Sequence, residues 1–342
     1  MGACVVPRAV ARLGRVSTPH TVTPPALDDA PVLAHYVRGG FVESAHRASV
    51  VVTAADGGEH LLALGAVDDP VFPRSSNKPV QTLAMVRAGL RMPPAHLALA
   101  SASHSGEDFH LAAVREMLAS VGLTEGALQN TADYPVNEEA REAVIRSGGG
   151  KLPITQNCSG KHAAMLATCV VNGWDTATYR DPSHPLQVAI AQTLAELTGD
   201  EITSTAVDGC GAPVMAVTLA GLARAFGTMA SAPAGTHEAE VADAIRANPA
   251  YLGGTGRDVT ALIEHTPGLI AKDGAESVYA VGLADGRGIA LKVADGYPRA
   301  KPVILAAVLR HLGVESAAIA QLEHSPVLGH GEPVGAIVAV NL

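Results

Sequence analysis

Pro73-Arg74-Ser75-Ser76-Asn77-Lys78-Pro79 sets a serine and a lysine three residues apart between two prolines. If this stretch opens a helix, Ser75 and Lys78 share one face, a turn apart and within contact range. Proline lacks an N–H and is tolerated only in a helix's first turn, so Pro79 puts Ser75 at or just before the start. Free backbone N–H groups and the positive end of the helix dipole favour a developing anion there. A serine hydroxyl is a poor nucleophile until a neighbouring base takes its proton. Lysine serves as that base only when burial or another cation lowers its pKa. Alone, the pattern equally describes a serine N-cap beside a solvated first-turn lysine, because so short a motif matches by chance.

Composition gives the pair more weight. The chain has 342 residues and 24 lysines plus arginines, of which only Lys78, Lys151, Lys161, Lys272, Lys292 and Lys301 are lysines. Arginine keeps its proton in a protein and lysine can lose it, so a surviving lysine points to titratable chemistry. Hydrophobic residues make up 48% and charged residues 17%, which describes a globular chain. Its length allows roughly 75% of the unfolded surface to be buried. Aromatics are only 3%, so the core must be Ala, Val and Leu. A net charge of −9 without a basic run argues against nucleic acid as a partner and leaves room for a pocket that binds a small acid. No apolar run reaches the ~18 residues of a membrane span, and residues 1–25 lack a continuous apolar signal core. Four cysteines, at 4, 158, 169 and 210, are too few for a disulfide scaffold. The expectation is a cytoplasmic protein with a flexible N-terminal extension over residues 1–34 and a single domain over 35–342.

The strand signals lie at both ends of the chain. Residues 47–55 and 60–67 are apolar runs flanking Asp56-Gly57, and 278–283 and 288–293 flank Asp285-Gly286. Both read as antiparallel hairpins. Residues 335–340 read as a closing strand. Helical spacing marks 81–89, 110–121, 163–171, 184–198, 214–226, 237–247, 256–264 and 301–312. The predicted fold is therefore α+β: an antiparallel sheet built from both chain ends, with a mainly helical insertion over about 75–265.

Three polar stretches punctuate this pattern: Ser75-x-x-Lys78, Ser103-His104-Ser105, and Lys272-Asp273-Gly274 at a strand. A serine and lysine at a helix start, a serine loop and a Lys-x-Gly strand are the plan of the serine β-lactamase and penicillin-binding superfamily. A second theme is Cys158-x-x-Lys161 with Cys210. Thiolates select zinc-like metals, but two buried free cysteines or a Cys158–Cys210 disulfide fit the spacing as well.

Five blocks together resemble the rhizobial-type L-asparaginases (class 3, the asparaginase II family). They are Ser75-Ser76-Asn77-Lys78-Pro79-Val80-Gln81, Ser103-His104-Ser105-Gly106-Glu107, Cys158-Ser159-Gly160-Lys161-His162, Asp208-Gly209-Cys210-Gly211-Ala212-Pro213 and Lys272-Asp273-Gly274-Ala275-Glu276. The resemblance covers about residues 35–342. It implies a β-lactamase-like fold, a homodimer, and hydrolysis of L-asparagine to aspartate and ammonia. It also implies two serine–lysine tandems, Ser75 with Lys78 and Ser103 with Lys272, and zinc held by Cys158, Lys161 and Cys210. An amino-acid substrate needs a partner of each sign. Arg74 is the candidate for the α-carboxylate and Asp208 for the α-ammonium, with His104, Gly274 and Glu276 as further substrate contacts.

The chain departs from the family pattern where Asp273 follows the strand lysine in place of Thr or Gly, and where Ser277 ends the Ala275-Glu276 block. A carboxylate beside Lys272 is expected to raise its pKa. The competing classes are a β-lactamase-like serine esterase or peptidase, and a non-catalytic amino-acid or zinc-binding module.

Overall fold

The computed structural model describes Leu27 and residues 29–342. The extension expected over residues 1–34 falls mostly outside them. Its boundary falls inside the first strand, β1 (Val32–Arg38). Gly39 and Gly40 follow, both with positive φ (55° and 81°). Two such residues between the paired Arg38 and Phe41 turn the chain tightly into β2 (Phe41–Thr53). The first half of β2 pairs with β1. Its second half, 48–53, is wholly buried and pairs with β3 (His60–Leu64) across the expected hairpin.

The C-terminal third supplies β4 (Ile270–Asp273), β5 (Val278–Gly282), β6 (Gly288–Val293), β7 (Pro326–Gly329) and β8 (Glu332–Ala339). These join the first strands in one eight-stranded sheet, ordered β7-β8-β1-β2-β6-β5-β4 with β3 on β2. Every pairing is antiparallel. The two chain ends therefore build the sheet together, as the sequence predicts.

The middle of the chain is helical: α1 (Lys78–Arg87), α2 (Pro94–Ala100), α3 (Asp108–Ala119), α4 (Glu138–Arg146), α5 (Ser159–Asn172), α6 (Pro185–Thr198), α7 (Leu219–Ala230), α8 (His237–Ala247) and α9 (Asp258–His265). After the sheet's central strands comes α10 (Lys301–His311). α7 packs on β2, β5 and β6, and α10 touches β1, β6 and β8. The approach of α7 is close: a side chain on Gly288 would run into the Ala223 carbonyl.

Helices α2 and α4 have no counterpart among the expected ones, and one further segment differs in type. The helix predicted from Val214 begins only at Leu219. Pro213–Met215 pairs with Thr205–Val207, and Val217–Thr218 with Pro70–Val71. Thr218 then caps α7, its hydroxyl accepting the Gly221 N–H at 2.8 Å. Small β-ladders thus interrupt the helical middle and tether it to the segment before Ser75. Among the described residues no helix is long and apolar enough to cross a membrane.

Candidate active site

A single 3₁₀ turn, Arg74–Asn77, runs directly into α1, with Pro79 in the first helical turn. The sequence reading of this start holds. Arg74 has φ +52°, a left-handed conformation uncommon for a side-chain-bearing residue and typical of constrained sites. Gly274, at the end of β4, lies against the turn. A Cβ there would sit 2.8 Å from Pro73 O and 3.1 Å from Ser76 N, so only glycine lets the strand cross the turn so tightly.

Ser75 is half-buried, and among the described residues its Oγ has no hydrogen-bond partner. It lines a cleft of about 430 Å³ together with Ser103, Asn157, Arg257, Asp273, Gly274 and Lys301. A larger groove of about 660 Å³ runs between α3 and α4 past Glu107, Phe109 and Ala140. None of the candidate catalytic or metal-binding residues lines that groove.

Both site lysines are completely buried. Lys78 Nζ donates to Ala102 O at 2.5 Å, Ser103 Oγ at 3.1 Å and Cys158 Sγ at 3.2 Å. Lys272 Nζ donates to its neighbour Asp273, to O at 2.6 Å and Oδ1 at 2.7 Å. The structure therefore redistributes the two tandems. Ser103 bonds to Lys78 and not to Lys272, and Lys78 does not bond to Ser75. Asp273 accounts for the Lys272 half of this: an anion 2.7 Å away outcompetes a neutral hydroxyl for a buried ammonium.

The pKa of Lys272 falls below its ordinary value although Asp273 acts on it in the expected direction. Burial is the largest influence and lowers it. Asp273 raises it, as the sequence suggests, and the charge of Lys78 lowers it again; the outcome is about 8. Burial alone would push the Asp273 carboxyl up, but Lys272, Lys301 and Arg257 together hold it well below the usual carboxylate range. Arg257 Nη2 reaches Asp273 Oδ2 at 3.0 Å.

Cys158, Lys161 and Cys210 converge at the buried start of α5. Neither cysteine is in a disulfide, which sets aside the Cys158–Cys210 bridge. Cys158 has one proton to give, and Asn157 Oδ1, at 3.0 Å, and the Cys210 sulfur compete for it. That hydrogen bond and burial push the Cys158 thiol up to about 12. The same bond, aided by Lys161, pulls Cys210 down to about 4. Lys161 Nζ stands 3.3 Å from Cys210 Sγ. Burial opposes its charge, but the two cysteines and Asp208 outweigh burial and raise it. Among the described residues no group of three His, Cys, Asp or Glu side chains has a metal-binding arrangement. The donors present are two sulfurs and one amine. A thiolate, a thiol beside it and a lysine suit zinc with open positions, provided Lys161 sheds its proton on binding.

The substrate contacts expected from the sequence divide. Gly274 lines the cleft. Arg74 and Asp208 pair with each other, Nε to Oδ1 at 2.8 Å, and neither is among the residues lining the cleft. Glu276 is largely exposed, 3.9 Å from Arg74, and also lies off the cleft wall. His104 is fully buried, with Nε2 2.8 Å from Ser159 Oγ and Nδ1 accepting the Gly106 N–H. Burial, helped by His110, holds its pKa well below normal. It ties the serine loop to the start of α5 and presents no free atom to a ligand.

Asn157, Arg257 and Lys301 line the cleft without having been singled out in the sequence. Asn157 directly precedes the block that begins at Cys158. Lys301 is one of the six lysines, and the scarcity argument applies to it as it does to Lys78.

The family model described as L-asparaginase II matches residues 34–339. No curated protein matches the chain. Solved structures similar to it include Mglu in its native form, 12% identical over 79% of this chain with a TM-score of 0.45. This chain spans 62% of that one. A β-lactamase from Mycobacterium bovis is 14% identical over 77% of this chain and 94% of its own, with a TM-score of 0.40. A putative β-lactamase from Bacteroides dorei is 13% identical over 77% and 93%, with a TM-score of 0.41. With the family model spanning nearly the whole chain, including all five blocks around Ser75, the chain belongs to the L-asparaginase II family and is a hydrolase.

Proposed function

We propose that the protein hydrolyses L-asparagine to L-aspartate and ammonia through an acyl-enzyme on Ser75. The observation that carries this reading is a single cleft, in a chain of this family, onto which Ser75 and Ser103 open while two wholly buried lysines lie behind them.

In the proposed reaction Lys78, one turn along from Ser75, first releases one Nζ proton through Ser103 to solvent in the cleft, and as the neutral amine then takes the hydroxyl proton as Oγ attacks the side-chain carboxamide carbon. Orphan N–H groups of the Arg74–Asn77 turn and the start of α1 stabilise the oxyanion. Ser103, hydrogen-bonded to Lys78 Nζ, relays the proton to the leaving nitrogen, which departs as ammonia. Water then attacks the ester carbon, aspartate leaves and Ser75 Oγ regains its hydrogen. Lys272 sets the local charge that accompanies these transfers.

Cys158, Lys161 and Cys210 would hold zinc, which when bound supplies Lewis-acid stabilisation of negative charge. The proposal includes a homodimer working in the cytoplasm; light scattering on purified protein tests the assembly. The direct test is ammonia release from asparagine by wild type and Ser75→Ala. The reading expects near-complete loss in the variant, and full activity there would refute the serine mechanism.

A further inference from the structure

Lys301 breaks a local rule. It opens α10, where the helix dipole already carries positive charge and acidic residues are favoured. The first turn contains no acid, and the N-cap, Ala300, offers no side-chain cap. The residue is only 7% exposed, and charged side chains are seldom so buried unless paired. Its ammonium lies 5.2 Å from the Tyr279 ring centroid, yet among the described residues it has no hydrogen-bond acceptor. It lines the same cleft as Ser75. A nearly buried cation with no hydrogen-bond acceptor among the described residues, at the wrong end of a helix, leaves its donors to whatever the cleft holds, solvent or an anionic ligand.

The charges around it point the same way. Lys272, Arg257 and Lys301 surround one carboxylate, Asp273. With Asp258 counted as well, three cations against two carboxylates leave one net positive charge at this end of the cleft. Asp258, also on the wall, stands next to Arg257 and offers a site of the opposite sign. Arg257 has five N–H donors, and one of them is engaged by Asp273. Arg74 and Asp208, by contrast, neutralise each other at 2.8 Å.

We propose that Lys301 and Arg257 form the carboxylate-binding end of the Ser75 cleft and hold the α-carboxylate of the amino-acid substrate, while Arg74 and Asp208 serve as an ion pair that braces the Ser75 turn. This deepens the amidase reading and rests on it for the identity of the ligand. An α-carboxylate anchored there leaves the side-chain carboxamide of a short amino acid free to reach toward Ser75. The anchor acts in the ground state and the transition state alike, so its loss raises KM more than it lowers kcat.

The experiment measures L-aspartate binding by calorimetry, and asparagine turnover, for wild type, Lys301→Gln, Lys301→Arg and Arg74→Gln. Thermal melting checks the fold of each. Lys301→Gln should weaken aspartate and raise the asparagine KM by roughly 10- to 100-fold, the effect of one hydrogen bond to a charged group. Lys301→Arg should recover part of that. Unchanged aspartate affinity and KM in a folded Lys301→Gln would overturn the proposal, as would a loss confined to Arg74→Gln. If wild type binds aspartate through Lys301 but releases no ammonia from asparagine, the amidase reading falls and the subsite stands. If ammonia is released with KM indifferent to Lys301, the subsite falls and the amidase reading stands. Absence of both binding and turnover in wild type overturns both.

Discussion

Asp273→Asn is the perturbation with the most specific consequence. The substitution keeps an oxygen acceptor near Lys272 Nζ but removes the negative charge 2.7 Å away. Burial lowers Lys272 and Asp273 opposes it, leaving a midpoint of about 8. An opposite charge at this distance supports an ammonium by about 1–3 pKa units, or about 1.4–4 kcal/mol. Lys272 should therefore titrate in the variant at about 5–7, with Arg257 and Lys301 now unopposed. Only six lysines are present, so the ¹³Cε resonances of selectively labelled protein can be followed individually, with Lys272→Met assigning the signal.

Stability follows by linkage. The folded-state pKa lies below the unfolded value of 10.5. Between about pH 8 and 10.5 the unfolded chain binds more protons, so the Lys272 contribution makes stability rise with pH through that window and flatten above it. In Asp273→Asn the rise should begin at lower pH. Near neutrality the variant should also be less stable, by up to about 3 kcal/mol for a broken buried pair; the partial exposure of Arg257 reduces this. A Lys272 midpoint that stays near 8, or climbs, would refute the argument that Asp273 supports the charged lysine.

Other outcomes are expected. Ser75→Ala should lower kcat/KM for asparagine by on the order of 10³-fold or more with little change in melting temperature, because Ser75 Oγ has no hydrogen-bond partner among the described residues. Gly274→Ala places a Cβ 2.8 Å from Pro73 O and 3.1 Å from Ser76 N. It should displace the Ser75 turn and reduce kcat far more than it reduces thermal stability, as steady-state kinetics beside calorimetry will show. Gly160→Ala puts a Cβ 2.5 Å from Leu99 O and 2.7 Å from Leu99 Cγ, and should destabilise by about 1–3 kcal/mol in urea unfolding. Cys158→Ser and Cys210→Ser should each lower the zinc content of purified protein measured by mass spectrometry; unchanged metal in both would remove zinc from the account.

The sequence made the Ser75 start legible because two local constraints agree there: Pro79 fixes the helix position and lysine is scarce. The paired hairpins were legible from Asp-Gly turns between apolar runs, and with them the sheet built from both chain ends. Three features were hidden for physical reasons. β7 (Pro326–Gly329) carries mixed burial at the sheet edge and so has no apolar run. The start of α7 was misread because Val214 to Thr218 are apolar enough to continue a helical pattern, and only the pairing with Thr205–Val207 and Pro70–Val71 makes them strands. The exchange of partners among Ser103, Lys78, Lys272 and Asp273 depends on which atoms meet across β4 and the serine loop, and no spacing encodes that. Asp273 was visible as a departure, and its effect on Lys272 had the expected sign, but the larger influence of burial could be weighed only in the fold. Lys301, at the start of α10, and Arg257, the extended residue just before α9, reach the cleft from outside the five blocks.

The central claim is that Ser75 carries the acyl group. Acid-quenching the enzyme during asparagine turnover and locating the added mass by peptide mass spectrometry tests it most directly. The account predicts an aspartyl ester on the peptide containing Ser75, absent from Ser75→Ala and from enzyme incubated with aspartate alone. An adduct on Ser103, or continued ammonia release by Ser75→Ala with no covalent adduct, would contradict it.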